Sequence, residues 1–183
     1  MIRAPEQKVI FFHNPKTAGS SINRWFTTNI SGSRHIEPQH IRPENIDHAG
    51  YWTFCVVRNP WDRWASWWNH WKTIGNRIDV SFEEYTIKFH NDEYAGLSGG
   101  QYSYLSPQVE FSDYSDCVLR YENLATDFRM IQEKLKCYAT LSFNNVGKNR
   151  LPYQQYYTSN ELIETISNFY AKDIEKFGYK YEL

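Results

Sequence analysis

The stretch KVIFFHNPKTAGSS, residues 8–21, decides the fold. Its first half is a short apolar run of the kind that forms a strand buried on both faces. Residues 14–19 supply a turn, and a helix is predicted from about Ala18 to Thr28. A strand that turns directly into a helix leaves the first N–H groups of that helix without partners inside it, and an anion suits them. Lys16 adds a mobile positive charge, and Thr17, Ser20 and Ser21 add hydroxyl donors. Gly19 is expected to let a ligand come close to the backbone. The lysine precedes the glycine here, whereas the nucleotide-triphosphate loop places it after the last glycine, beside a Ser/Thr that binds magnesium.

The same arrangement recurs at CVVRNPWDRWAS, residues 55–66. Residues 52–57 read as a second buried strand. Asn59-Pro60 then gives a helix cap with proline at the first helical position, opening a helix to about Ile74. Arg58 stands where the strand ends and Ser66 about two turns into the helix. A guanidinium fork and a hydroxyl so placed suit a phosphate. Residues 116–121 read as a third strand, followed by a helix over about 123–136, whereas 31–50 and 96–112 read as irregular. Ser81 with Glu84 and Thr158 with Glu161 form capping boxes that open two further helices, the second closed by Gly178. Strands alternating with helices predict a parallel sheet covered on both faces, with ligands bound beyond the carboxyl ends of its strands.

Together, residues 15–21 and 57–66 resemble the PAPS-dependent sulfotransferase family, whose donor is 3'-phosphoadenosine 5'-phosphosulfate (PAPS). Its 5'-phosphosulfate loop reads Pro-Lys-Thr/Ser-x-Gly/Ser-Ser/Thr-Ser/Thr, and its 3'-phosphate motif reads Val-Arg-Asn/Asp-Pro-x-x-Arg-x-x-Ser. Arg120-Tyr121-Glu122-Asn123-Leu124 is similar to the family's third-strand segment. Tyr156-Tyr157-Thr158 and Phe177-Gly178-Tyr179 are similar to the ends of its short, carbohydrate-type members. The likeness runs from about residue 8 to 181, with the middle loops matched loosely. It implies a P-loop-like, three-layer α/β fold with a central parallel sheet, in one sulfotransferase domain over residues 1–183. It also implies Lys16, Thr17, Ala18, Gly19, Ser20 and Ser21 at the phosphosulfate, Arg58 and Ser66 at the 3'-phosphate, and no metal. The product would be 3',5'-adenosine bisphosphate (PAP).

Sulfuryl transfer also needs a base for the acceptor hydroxyl. The 31–50 loop offers His35, Glu37, His40 and His48. Related hexuronic 2-O-sulfotransferases carry a catalytic histidine in this loop, and Gln39-His40-Ile41 resembles that segment best, with His35 and Glu37 as the alternatives. Lys16 is the candidate for stabilising the departing phosphate oxygen. Lys148 and Arg150 are candidates for closing over the nucleotide, as basic residues near the C-terminus of relatives do, or else belong to a solvated loop. Trp61, Trp64, Trp68 and Trp71 share one helix face and are expected in the core, while Trp67 is the better candidate for an acceptor-site aromatic.

Composition narrows the classes. The chain has 183 residues and a formal net charge of −1, so no basic field exists to draw nucleic acid, and any anion site must be local. The 3 cysteines, Cys55, Cys117 and Cys137, lack zinc spacing and are expected as buried free thiols in a reducing compartment. The first apolar run is too short to span a bilayer and lacks a signal-peptide pattern, so a cytosolic protein with no membrane partner is expected. The acceptor stays open among sugar, phenol and small metabolite, as does the oligomeric state. Two other readings fit parts of the pattern. A P-loop-type kinase would need an acidic partner for magnesium at a strand end, where Arg58 and Tyr121 stand instead. A non-enzymatic, aromatic-rich carbohydrate-binding module would need neither Lys16 nor Arg58.

Overall fold

A computed structural model describes residues 1–36, 41–73, 79–90, 105–143 and 151–182. The chain forms two compact units interleaved in sequence, Met1–Arg58 with Gln108–Val146, and Asn59–Pro107 with Gly147–Leu183.

The first unit carries a five-stranded mixed sheet in the order β3-β1-β2-β4-β5. Its strands are β1 (Ile2–Ala4), β2 (Val9–Phe12), β3 (Arg34–His35), β4 (Trp52–Val57) and β5 (Cys117–Arg120). β2, β4 and β5 are parallel, with Phe11 opposite Phe54 and Val56 opposite Leu119. All four residues of β2 are fully buried, as a central strand requires. β1 departs from the expected parallel sheet. It joins β2 through a tight turn in which the Lys8 N–H donates to the Pro5 carbonyl at 3.2 Å, and a connection that short permits only antiparallel pairing. β3 pairs antiparallel to β1, so it runs in the direction of β2.

Side chains alternate across these strands. Val9, Phe11, Phe54, Val56 and Leu119 face one core, closed by Ile22, Trp25 and Phe26 of α1 (Gly19–Asn29) and by Leu124, Phe128 and Ile131. Trp25 meets Phe128 edge-on at 4.9 Å, and its indole N–H donates to the Ala139 carbonyl at 2.8 Å. The expected helix over 123–136 is broken. A 3-10 turn at Tyr121–Asn123 leads into α5 (Leu124–Asp127) and α6 (Arg129–Leu135), which ends at left-handed Lys136. Within the stretch read as irregular lies a short helix, α4 (Val109–Ser112).

The second unit contains α2 (Pro60–Thr73), α3 (Phe82–His90), α7 (Asn160–Phe169) and α8 (Ala171–Phe177). Asn59 caps α2 as expected, its Oδ1 accepting from the N–H groups of Trp61 and Asp62 at 3.1 and 3.2 Å. Ser81 caps α3, accepting from the Glu84 N–H at 3.0 Å. At α7 the cap is Ser159 rather than Thr158, with its hydroxyl accepting from the Leu162 N–H. The last helix also breaks at Tyr170, and Gly178 closes α8 with φ 66°.

Trp61, Trp64 and Trp68 are buried as expected, and the Trp64 indole donates to Thr86 Oγ1 at 3.0 Å. Trp67 is buried too, packed against His70 and Trp71. The second arginine of the 57–66 motif, Arg63, is fully buried. It donates to the Ser106 carbonyl at 3.0 Å and lies over the Tyr170 ring. Cys55, Cys117 and Cys137 are free thiols, only Cys55 being fully buried. Burial, with the Asp127 and Asp116 carboxylates nearby, pushes the Cys117 thiol pKa up. Among the described residues, no helix is long and apolar enough to cross a membrane.

Candidate functional site

Two of the segments singled out in the sequence converge at the carboxyl ends of β2 and β4. Neighbouring parallel strands bring them together although they lie 42 residues apart: Arg58 Nη1 donates to the Lys16 carbonyl at 2.9 Å. Arg58 is 3% exposed, and its Cζ lies 3.9 Å from the centre of the Tyr121 ring. A guanidinium at that depth needs hydrogen bonds and an electron-rich neighbour, and the loop carbonyl and the tyrosine face supply them.

The loop from Asn14 to Gly19 is a strained turn. Lys16 and Ala18 both hold left-handed backbone, with φ 68° and 64°. That conformation costs a non-glycine residue about 1–2 kcal/mol, and such strain concentrates at functional sites. Left-handed residues interspersed in a turn point successive N–H groups inward, a concavity suited to anions. Ala18 caps α1 without a side-chain hydrogen bond, and its carbonyl accepts the N–H groups of Ser21 and Ile22 at 3.0 and 3.2 Å.

The side chains of the loop divide the work. Thr17 is fully buried and donates its hydroxyl to the Asn14 carbonyl at 2.7 Å, so it braces the turn. Ser20 is exposed, Lys16 half-buried and Ser21 buried. At Gly19 the physical reason for glycine differs from the expected one. A Cβ there would meet His13 Nε2 at 1.7 Å, so the space belongs to the buried imidazole, which stacks on Phe11.

The turn is mounted on two buried amides. Asn14 Nδ2 donates to the Val56 carbonyl at 2.9 Å and to Gln108 Oε1 at 3.1 Å. Gln108 binds both backbone groups of Arg58: Oε1 accepts the N–H and Nε2 donates to the carbonyl, each at 2.8 Å. His13, Asn14, Gln108 and Tyr121 are therefore parts of this site that sequence reasoning missed. Gln108 carries no sequence signal, since it precedes a short helix in a stretch read as irregular. Tyr121 did carry one, in the segment that opens with Arg120-Tyr121.

The remaining candidates fall elsewhere. His35 is exposed on the edge strand β3, level with Phe11 through the shared partner Ile2, and β3 runs toward the carboxyl end of β2. His48 packs edge-on against Phe12 and Tyr114, with Nδ1 2.8 Å from the Ile46 carbonyl. Ser66 is half-buried in α2 of the second unit. Glu37, His40, Lys148 and Arg150 lie outside the described residues.

The elements define a mixed α/β protein whose strained strand–loop–helix turn is tied to an arginine at the end of the adjacent parallel strand. No family model and no solved structure matches the chain. It is 30% identical over 86 residues to an uncharacterized protein of Archaeoglobus fulgidus, a match that covers 47% of this chain and 68% of that protein. The chain belongs to the family of that protein.

Proposed function

We propose that this chain is a sulfotransferase that moves a sulfuryl group from PAPS to the hydroxyl of a sugar, a phenol or a small metabolite. The observation that carries the reading is the bond from Arg58 to the Lys16 carbonyl. It joins the two segments that resemble the family's phosphosulfate loop and 3'-phosphate motif. The finer fold belongs to the same proposal: a P-loop-like, three-layer domain in which β1 and β3 extend one edge of the parallel strands.

In this reading the loop N–H groups over residues 16–20, the Ser20 and Ser21 hydroxyls and the Lys16 ammonium hold the 5'-phosphosulfate. Arg58 and Ser66 take the 3'-phosphate, and Lys148 and Arg150 close over the nucleotide. The acceptor oxygen attacks sulfur in line with the bond to the 5'-phosphate oxygen. As the new S–O bond forms, the old one breaks and PAP departs with the electron pair. The charge that grows on the leaving oxygen is met by Lys16 and the preorganised loop dipoles, without a metal. The acceptor proton passes to a base at the end of β3 or in the segment after it. His40 is the first choice, with His35 and Glu37 as the alternatives.

The experiment is transfer from labelled PAPS to a panel of sugars, phenols and small hydroxylated metabolites. His40→Ala is expected to lower kcat by roughly 10²–10⁴ while PAP affinity stays near wild type, because a base does not touch the nucleotide. Lys16→Ala should weaken both. His35→Ala and Glu37→Gln run beside them, and the one that collapses turnover takes the role if His40→Ala keeps more than about a tenth of it. Failure of the wild-type chain to transfer label to any hydroxyl would sink the proposal.

A further inference from the structure

Past α6 the chain runs extended along the surface of the first unit. From Leu135 to Ser142 exposure alternates residue by residue. Cys137, Ala139 and Leu141 turn to the core, and Tyr138, Thr140 and Ser142 to solvent. A period of two is that of a strand. The odd-numbered residues bond their backbone groups to the protein itself. The Cys137 N–H donates to the Gln132 carbonyl at 2.9 Å, and the Ala139 carbonyl accepts from Trp25 Nε1 at 2.8 Å and from Gln132 Nε2 at 2.7 Å. In an extended chain neighbouring residues direct these groups to opposite edges. The N–H and carbonyl groups of Tyr138, Thr140 and Ser142 therefore line the other edge, where none of the described residues bonds them. Tyr138 is 73% exposed, and Phe143 and Met130 of the same unit are 44% and 47% exposed.

We infer that residues 138–142 are an interaction surface whose occupant is a second copy of this chain, paired antiparallel about Thr140. A two-fold axis there sets Thr140 against Thr140 and Tyr138 against Ser142. Each outward residue then exchanges both its backbone bonds with the copy, and no group on that edge is left over. Charge favours the same occupant. Residues 137–143 carry none in a chain that is 22% charged, so two copies bring no like charges together and nothing there draws a partner of opposite sign. Strand edges that avoid each other carry lysine or proline, and neither interrupts this stretch. The net charge of −1 adds little repulsion between copies. A pairing this short buries too little surface for an obligate dimer, so the association is weak, with a Kd on the order of 10–100 µM. Self-association goes beyond the nucleotide reading and does not depend on it.

The test is sedimentation equilibrium of the full chain over about 1–500 µM, a range that brackets the expected Kd. Wild type runs beside Thr140→Lys, Thr140→Glu, an equimolar mixture of those two variants, and Thr140→Val. Thr140 is exposed and lies outside the candidate site, so none of these changes disturbs the core. Wild type should pass from monomer to dimer with rising concentration. Thr140→Lys and Thr140→Glu each set like charges face to face on the two-fold axis and should raise the Kd roughly tenfold or more. Their mixture sets Lys against Glu and should recover a dimer at least as tight as wild type. Thr140→Val keeps the backbone pairing and should keep the Kd within about threefold. A wild-type chain that stays monomeric throughout overturns the inference before any variant is made. So does a Thr140→Lys protein that dimerises as wild type does, since the contact then lies elsewhere. A mixture no tighter than its components, or a loss in Thr140→Val as large as in Thr140→Lys, overturns it too.

Discussion

At the scale of single residues, Gly19 has a packing role that its residue type does not announce. A glycine before a helix in an anion loop suggests room for a ligand. Here the room is occupied by His13, whose ring stands 1.7 Å from where a Cβ would be. Gly19→Ala should therefore destabilise the protein by about 1–3 kcal/mol through overpacking. His13→Ala made in the same chain should recover much of that loss, since the two residues share one space. Urea unfolding of the two single variants and the double variant measures the coupling, and additive effects would contradict the packing argument. Lys16, Arg58 and the loop hydroxyls were legible because charge and donor chemistry at a strand end are written in residue type. The burial of His13 and the amide bridge from Asn14 through Gln108 to Arg58 were not. A buried amide is defined by its partners, and those lie far away in the chain.

At the scale of elements, strands of four or more residues were readable and shorter ones were not. β2, β4 and β5 stand where hydrophobic runs predicted them: β2 and β4 because strands buried on both faces need unbroken apolar sequence, and β5, a partly buried edge strand, because Cys117, Val118 and Leu119 are all apolar. β1 and β3, of 3 and 2 residues, are too short to show a period, and pairing with neighbours decides them. The helices after β5 and near the C-terminus were expected continuous and are broken at Phe128 and Tyr170, where the chain turns without a proline or glycine to announce it. The cap of α7 is a sharper case. Thr158 fits a capping box with Glu161, yet the hydroxyl that meets the Leu162 N–H belongs to Ser159. Ser159→Ala is expected to cost about 0.5–1 kcal/mol in thermal unfolding, toward the low end for a cap because that bond is 3.4 Å long. Thr158→Ala should stay within about ±0.5 kcal/mol. The reverse order would restore the sequence-based assignment.

At the scale of the whole molecule, a net charge of −1 means that anion binding has to come from local geometry and not from a general field. Within the first unit that geometry is a strained turn, a helix start and a buried arginine joined by one hydrogen bond. Its proposed ligand is an adenosine nucleotide with phosphates at both the 5' and 3' positions, held without a metal. The most direct measurement is titration of PAP and adenosine 5'-monophosphate, in the presence of a chelator, into the wild-type chain and Arg58→Ala. PAP is expected to bind with chelator present and to be preferred to the monophosphate. Arg58→Ala, by losing a charge-assisted bond of about 1.5–3 kcal/mol, should lower PAP affinity roughly 10- to 150-fold and narrow that preference. Binding that disappears with the chelator, or an Arg58→Ala protein that prefers PAP by the wild-type margin, would contradict these expectations.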